Sequence, residues 1–349
     1  MRSDNALTLA LLAIAAGSAA QPAKPVVTCA SCHTQQALSQ PATSMAHALS
    51  LPGNNAVLKA HPMLTVRKGA FTYTVETHAD QTTYSVSDGS QTMSFRVHWT
   101  FGAGSQTWVL EYEGRLYESM VSYYPAINGL DTTIGDQDIQ PKNLVEAFGR
   151  QLRPDEPSAC FGCHSTGSVT GNHLHLESLK PGVTCEHCHT GALNHLEAIS
   201  HGSLQSVPPK LKKLSSEEIS NFCGQCHRSW ETVVRDRLRG EINVRFQPYR
   251  LANSKCFDGS DRRISCIACH DPHQEVVRDP VSYDSKCLAC HASNGLNVAA
   301  HQTQTPKSCP VATSGCVTCH MPKVALPGGH QIFTDHDIRI VHANEPYPN

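Results

Sequence analysis

The stretch CIACHDPH, residues 266 to 273, holds two cysteines and two histidines within eight residues. Thiol and imidazole groups bind transition metals, and a zinc site could use all four side chains. Two thiols three residues apart and followed at once by a histidine also form the pattern for covalent haem attachment. In that second interpretation Cys266 and Cys269 carry the porphyrin, His270 binds its iron, and His273 is left for another role.

The same C-x-x-C-H pattern occurs seven times, and this repetition decides between the two interpretations. With two cysteines in each of seven motifs, 14 of the 16 cysteines are used. Neither zinc knuckles nor a disulfide network explains why a histidine follows every pair. We therefore predict seven covalently attached haem c groups, each with one iron. The attachment residues are Cys29, Cys32, Cys160, Cys163, Cys185, Cys188, Cys223, Cys226, Cys266, Cys269, Cys287, Cys290, Cys316 and Cys319.

Each motif also supplies the first axial ligand, because the histidine after the second cysteine is held beneath the porphyrin. These proximal ligands are His33, His164, His189, His227, His270, His291 and His320. The chain has 21 histidines and six methionines, so the remaining 14 histidines are the better source of second ligands. The predicted distal ligands are His47, His61, His195, His273, His301, His330 and His336.

His273 follows His270 by only three residues, which is too close to reach the opposite face of the same ring. We expect it to bind the iron of a neighbouring haem instead. The same reasoning applies to His195, six residues after His189. Ligation by two imidazoles gives a low-spin iron that is suited to electron transfer.

Composition and the chain start limit the function classes. The formal net charge is -2, so no basic excess points to nucleic acid. Residues 1–20 are typical of an export signal, with Arg2 before the apolar segment 6–16 and small residues at positions 18–20. We expect an exported chain without a transmembrane segment after cleavage. The periplasm is the favoured location, and an outer-membrane-associated or extracellular position is the alternative.

The spacing of the motifs predicts the domain organisation. Between the first and second motifs lie short alternating segments such as FTYTVET, TTYSVS and TWVLEYEG, which predict an antiparallel meander. PKNLVEAFGRQL and ALNHLEAIS are typical of helices, and SSEEISNF begins with a capping box. The predicted divisions are a signal at 1–20, an N-terminal segment with the first motif at 21–63, a β-subdomain at 64–140, and a six-haem domain at 141–349.

These elements predict an α+β fold. We expect it to be mainly helical and loop-rich, with haems forming the core, and to carry one small antiparallel β-subdomain. The segments between the later motifs are short, so side chains alone would build only a thin core there.

Two further groups of residues have predicted roles. Cys256 and Cys309 belong to no motif, and in an oxidising compartment a disulfide between them is the economical interpretation. A free buried thiol is the alternative. Each haem brings two propionates, and Arg245, Arg250, Arg262 and Arg263 are candidate partners for them, with solvated surface arginines as the alternative.

Several segments resemble a known family. GVTCEHCHTGALNHL, NVRFQPYRLANSKCF, ISCIACHDPH, CPVATSGCVTCHMPK and FTDHDIRI are similar to segments of periplasmic multihaem c-type cytochromes. The broad superfamily includes hydroxylamine oxidoreductases and multihaem nitrite reductases. HWTFGAGSQTWVLEYEGRLYESMVSYY also resembles the β-rich insert of one branch. The resemblance implies closely stacked haems and ligand roles for His195, His273 and His336.

The leading functional hypothesis is a heptahaem carrier of single electrons between exported redox proteins, one a donor and one an acceptor. One alternative is an oxidoreductase in which one open haem acts on a small nitrogen or sulfur compound. A second alternative is a subunit of a conductive extracellular or membrane-associated assembly. The chain lacks the C-x-x-C-K motif of ammonia-forming nitrite reductases and a convincing cross-linking tyrosine of hydroxylamine oxidoreductases, which argues against those two activities.

Overall fold

The computed structural model describes residues 27–291 and 309–348 of the chain. The predicted export signal and the distal candidate His301 lie outside the described residues. The described strands are β1 Leu49–Ser50, β2 Met63–Lys68, β3 Phe71–His78, β4 Gln81–Ser87, β5 Thr92–Phe101, β6 Thr107–Tyr112, β7 Arg115–Ser119, β8 Val121–Tyr124, β9 Gly129–Thr132, β10 Gly149–Gln151, β11 Ser165–Thr166, β12 Val169–Thr170, β13 His173–Leu174, β14 Lys180–Pro181, β15 Lys323–Leu326 and β16 Gln331–Thr334.

The described α-helices are mostly short. They are α1 Thr34–Ser39, α2 Ala56–Ala60, α3 Leu144–Phe148, α4 Glu156–His164, α5 Cys185–Cys188, α6 Ala192–Ser200, α7 Ser216–His227, α8 Trp230–Arg235, α9 Gln247–Ala252, α10 Cys266–Cys269, α11 Asp284–His291 and α12 Cys316–His320. Helix α6 forms where ALNHLEAIS predicts it, and the capping box at the start of α7 is present. Within the described ranges, no helix has the length and apolar character that crossing a bilayer requires.

Strands β2 to β7 form an antiparallel meander, in which each strand pairs with the next along the chain. The alternating sequence explains this arrangement, because successive side chains of a strand point to opposite faces. In β3, for example, Phe71, Tyr73 and Val75 are buried while the residues between them are half-buried. Gly69, with φ of 57°, provides the tight turn between β2 and β3. The predicted meander is therefore confirmed.

The prediction of a mainly helical fold with a small β-subdomain is wrong. Helix makes up 35% and strand 24% of the structure, and the curled antiparallel sheet is large. One reason is that α5, α10 and α12 are single turns of four or five residues. A second is that several short hairpins form between the motifs, such as β12 with β13 and β15 with β16.

The segment PKNLVEAFGRQL shows how the helical prediction failed. Its helix, α3, has only five residues and begins after Asn143, whose side chain accepts a hydrogen bond from the Glu146 N–H. The next three residues form β10, which pairs with β7 and extends the sheet. A Cβ atom at Gly149 would lie 2.2 Å from the carbonyl oxygen of Glu118, so this close pairing requires glycine.

The sheet has an aromatic core of its own. Trp108, Tyr73, Tyr84 and Phe148 are all fully buried. Helix α3 delivers Phe148, whose ring stacks on Phe95 with a centroid distance of 4.3 Å. Aromatic side chains bury large apolar areas, so this cluster stabilises the sheet without help from any cofactor.

A second cluster joins the sheet to α4, the helix that ends in the second motif. Phe161 of α4 is fully buried between two residues of β5. Its ring makes edge contacts with Trp99 at 5.2 Å and Phe101 at 5.0 Å between centroids. These contacts fix the second motif against the sheet.

The segments after α5 bury fewer apolar side chains. Their hydrophobic cluster contains Val233, Phe246 and Tyr249 as its buried members. A buried ion pair adds to this small core, since Arg250 donates from Nε to Asp335 at 2.8 Å and from Nη2 to Asp337 at 3.2 Å. The pair anchors the C-terminal segment that carries His336.

Candidate haem sites

All seven C-x-x-C-H motifs lie on short helical turns. Three of them end the longer helices α4, α7 and α11, three form α5, α10 and α12, and the first begins with a 3₁₀ turn at Cys29–Ser31. In helical backbone, side chains three residues apart lie on the same face. The two thiols of each motif therefore point the same way, as two thioether bonds to one porphyrin edge require.

The motifs also lie beside one another. Thiols of different motifs lie close enough to influence one another, namely Cys29 with Cys185, Cys163 with Cys226, Cys223 with Cys266, and Cys287 with Cys316. Helix α7, with the fourth motif, packs against both α4 and α10. Cys188 of the third motif lies close to the thiols of α7, and Cys269 of the fifth lies close to Cys287 of the sixth. The motifs thus form one continuous series, with the fourth as a junction.

Two predicted distal histidines lie opposite proximal histidines of other motifs. The rings of His189 and His273 have centroids 6.0 Å apart and an interplanar angle of 7°. The rings of His270 and His336 have centroids 6.3 Å apart at 46°. When one metal ion lies between two imidazoles, each metal–nitrogen bond is about 2 Å long, and each nitrogen lies about 1 Å from the centre of its ring. The two ring centres are then about 6 Å apart. Both separations therefore fit one iron held between two imidazoles.

Hydrogen bonds fix several of these rings in the tautomer that leaves Nε2 free. Nδ1 lies 2.8 Å from the Ala48 carbonyl oxygen in His164, 2.9 Å from that of Arg339 in His320, and 3.0 Å from that of Thr334 in His336. His195 Nδ1 likewise contacts the Ser206 carbonyl oxygen, and His273 Nδ1 lies 3.0 Å from a carboxylate oxygen of Asp271. A partner on Nδ1 orients an imidazole and directs the Nε2 lone pair to a metal.

Burial keeps five of the candidate ligand imidazoles neutral. It lowers the pKa of His336 to about 4, and it lowers the pKa of His164, His189, His227 and His270 below the usual value. A neutral imidazole is the form that binds a metal ion. The rings are therefore ready to ligate iron at neutral pH.

Two other predicted distal ligands, His61 and His330, have different partners among the described residues. Nε2 of His61 lies 3.2 Å from the hydroxyl of Tyr123, and Nε2 of His330 lies 2.7 Å from Oδ2 of Asp131. His47 is exposed. The sequence could not reveal these competing partners, because Tyr123 and Asp131 are 62 and 199 residues away from the histidines they contact.

The predicted disulfide between Cys256 and Cys309 is not formed, and both thiols are free. The thiol of Cys256 is half-buried beside Cys269 and Cys290 of the fifth and sixth motifs, whereas Cys309 is exposed. Cys256 therefore lies near the thiols of two motifs and is not bonded to Cys309 as the number of cysteines had suggested.

The four candidate arginines differ in their partners. Arg250 is committed to Asp335 and Asp337, which contradicts its predicted role with a propionate. Arg262 donates to the Lys213 carbonyl oxygen and Arg263 to Asp261. Arg245 differs, because its buried Nε has no hydrogen-bond partner among the described residues. Burial and the nearby Arg228 lower its pKa. A buried donor of this kind fits a propionate carboxylate.

Sequence reasoning missed a carboxylate that joins two motifs. Asp284 begins α11, which ends in the sixth motif, and accepts hydrogen bonds from the N–H groups of Gly315 at 2.7 Å and Cys316 at 2.8 Å. These bonds hold the pKa of Asp284 below its usual range. They fix the start of α12, and with it the seventh motif, against α11. An aspartate three residues before a motif cysteine was the available signal.

His201, which the sequence does not favour as a ligand, has a similar backbone contact. Its Nδ1 lies 2.9 Å from the Glu197 carbonyl oxygen, which is the same tautomer-fixing contact that the ligand candidates make. The ring is exposed at the C-terminal end of α6. Nothing in the local sequence distinguishes it from an ordinary surface histidine.

Three features together fit covalently bound haem. They are the cysteine pairs on helical turns, the facing imidazoles, and the buried Arg245 that has no partner for its Nε among the described residues. Features of this kind are typical of c-type cytochromes, in which haem c with its iron is bound covalently. Comparison with known proteins agrees, since residues 136–190, which contain the second and third motifs, match the family described as cytochrome c554 and c-prime.

Among solved structures, the outer cell wall cytochrome OcwA is similar, with 15% identity and a TM-score of 0.49. The match covers 90% of this chain and 78% of that one. No curated protein matches the chain.

Proposed function

We propose that this chain is an exported heptahaem c-type cytochrome that transfers single electrons between a donor and an acceptor redox protein. The observation that carries the proposal is the opposed pair His189 and His273, which belong to different parts of the chain and lie 6.0 Å apart with parallel rings. Seven C-x-x-C-H motifs and the family match over residues 136–190 support it.

The roles of the chain's own residues follow from their chemistry. Each cysteine pair attaches one porphyrin, and the adjacent histidine binds its iron. His273 is the second ligand at the third motif and His336 at the fifth, while His195 serves another motif. When bound, haem iron supplies a reversible one-electron couple whose potential the protein tunes through ligands, hydrogen bonds and burial.

The arrangement of the motifs suits a carrier. Because neighbouring motifs contact one another through their thiols, centres attached to them become neighbours in turn. The fourth motif joins branches from the second, third and fifth.

Single histidine substitutions test the ligand assignment. His273→Ala and His336→Ala should each convert one of the haems from low-spin to high-spin, because each removes one strong axial ligand. Electron paramagnetic resonance of the ferric protein measures the change. His78→Ala is the matched control, since its ring is 81% exposed at the end of β3. Unchanged low-spin signals in both ligand variants would contradict the assignment.

A second candidate is an oxidoreductase with one open haem that acts on a small nitrogen or sulfur compound. The engagement of His61 by Tyr123 and of His330 by Asp131 favours it, because two predicted ligands are thereby committed elsewhere. Carbon monoxide binding to the reduced wild-type protein separates the two candidates. Binding supports the enzyme, and fully low-spin iron without binding supports the carrier.

A further inference from the structure

A cluster of three carboxylates around one guanidinium lies where the sheet meets the second motif. Arg150 of β10 lies 2.6 Å from Glu118 of β7, 2.9 Å from Glu156 of α4, and 3.7 Å from Asp136. We call these four residues the Arg150 cluster. If all three acids ionise, one positive charge faces three negative ones.

Asp136 is the poorly satisfied member of this cluster. Its side chain is 3% exposed, and its Oδ2 is buried without a hydrogen-bond partner among the described residues. Two shorter carboxylate contacts already occupy Arg150. Burial, together with repulsion from Glu118 and Glu156, raises the pKa of Asp136 to about 6. This carboxyl group therefore titrates near neutral pH.

The other groups that face Asp136 do not replace Arg150 as a counter-charge. The phenols of Tyr84 and Tyr124 lie near it, and burial raises the pKa of both. Tyr124 donates its hydroxyl to the Thr132 carbonyl oxygen, and the buried hydroxyl of Tyr84 has no partner within the described part of the chain. Arg153, which is largely exposed, pairs with Glu156 and Asp155. The charge of an ionised Asp136 is thus incompletely balanced.

The cluster is close to the second motif. Glu156 begins α4 and Cys160 follows it by four residues, so the two side chains lie on the same face one turn apart. The charges of Glu118, Glu156 and Arg150 all act on the Cys160 thiol. Electrostatic interaction is mutual, so a charge added at the second motif also changes the electrostatic potential at the Arg150 cluster.

We propose that Asp136 is a redox-linked proton site for the haem of the second motif. The inference rests on the proposed function. One electron from the donor protein reduces the ferric iron, and one proton from water joins the Asp136 carboxylate. Oxidation by the acceptor protein returns that proton to water. No other bond forms or breaks, and the local charge stays constant.

The sign of the pH effect follows from this balance. The negative charge added on reduction favours the protonated carboxyl, so Asp136 holds its proton to higher pH in the reduced protein. Below about pH 6 it is protonated in both redox states. Above that value the reduced state binds more protons, and the midpoint potential falls as pH rises. The limit is a tenfold change in equilibrium constant per pH unit, or about 59 mV for one electron.

Redox titration of the holoprotein between pH 5 and 9 tests the proposal, using Asp136→Asn and a matched control. The control is Asp155→Asn, which removes the same charge beside α4 from a side chain that is 82% exposed. We expect one component of the wild type and of the control to lose potential steeply above about pH 6. Asp136→Asn should lack that slope. Haem propionates contribute equally to all three proteins.

Equal slopes in Asp136→Asn and wild type would overturn the inference while leaving the proposed function intact. Protein without haem would instead overturn the proposed function. Should Asp136→Asn fail to fold, infrared difference spectra of native protein with ¹³C-labelled aspartate replace it. A protonated aspartic carboxyl band that grows on reduction supports the inference, and the absence of such a band contradicts it.

Discussion

The sheet formed by β2 to β7 and the motif-bearing segments after α5 are stabilised by different means. The sheet encloses a continuous aromatic and aliphatic cluster that includes Trp108, Tyr84 and Phe148. The later segments have a cluster with three buried members and a buried ion pair at Arg250. Since apolar burial is the main favourable term in folding, we expect the sheet to be stable by itself and the later segments to depend on cofactors attached to their cysteines.

The largest expected effect comes from removing haem altogether. In protein made without haem attachment, the segments after α5 should lose protection against hydrogen exchange, while the sheet from β2 to β7 keeps it. The reason is that side chains alone bury too little apolar surface in those segments. Mature protein treated in parallel is the control. Equal protection of both regions in the haem-free protein would contradict the claim that only the later segments depend on haem for their stability.

A substitution in the sheet should have the converse effect. Trp108→Ala removes a fully buried indole and should cost about 3–5 kcal/mol of unfolding free energy for the sheet. The haem count should stay the same, because no motif contacts that side chain through the core cluster. Trp230→Ala is the matched control, since Trp230 is 49% exposed. Guanidinium unfolding followed by far-UV circular dichroism measures the stability of both variants. Equal losses of stability would contradict the claim that Trp108 belongs to the core that stabilises the sheet.

The ion pair that anchors the C-terminal segment gives the next prediction. Arg250→Ala removes the buried guanidinium between Asp335 and Asp337 and leaves both carboxylates to share Arg339, which should cost about 3 kcal/mol. Hydrogen exchange at residues 335–348 should accelerate, and the low-spin signal that depends on His336 should weaken. Arg235→Ala, at an exposed pair with Asp236, should leave stability nearly unchanged, because solvent screens an exposed ion pair. Similar effects in both variants would show that the buried pair does not anchor the segment.

The smallest expected effect is a pH-dependent change in stability caused by Asp136. Because the pKa of Asp136 is raised to about 6, its stabilising protonated form is lost as pH rises from about 4 through 6. Oxidised wild-type protein should therefore lose on the order of 2 kcal/mol over that range relative to Asp136→Asn. Denaturant midpoints at pH 4 and pH 7 measure the difference. Parallel pH profiles of the two proteins would contradict it.

How much the sequence could predict differs between the same two regions. The meander followed from alternation within each strand, and the motifs from spacing within five residues, so both were local signals. The edge strand β10 was missed because it depends on the approach of Gly149 to Glu118, which is remote in sequence. The mainly helical prediction failed for a related reason, since single-turn motifs leave room for hairpins.

The pairing of ligands lies beyond sequence reasoning. Three residues of separation exclude His273 as the partner of His270, but only the fold brings it opposite His189. In the same way, only the fold brings His61 to Tyr123 and His330 to Asp131. The sequence thus indicates which residues can ligate iron, and tertiary contacts select among them.

The intact mass of the matured, exported protein tests the central claim most directly, together with its visible spectrum. The account predicts the mass of the mature polypeptide plus seven haems, with the absorption of low-spin c-type iron in most of them. A colourless protein that has only the mass of its amino acids would contradict the claim that haem completes the core of the motif-bearing segments.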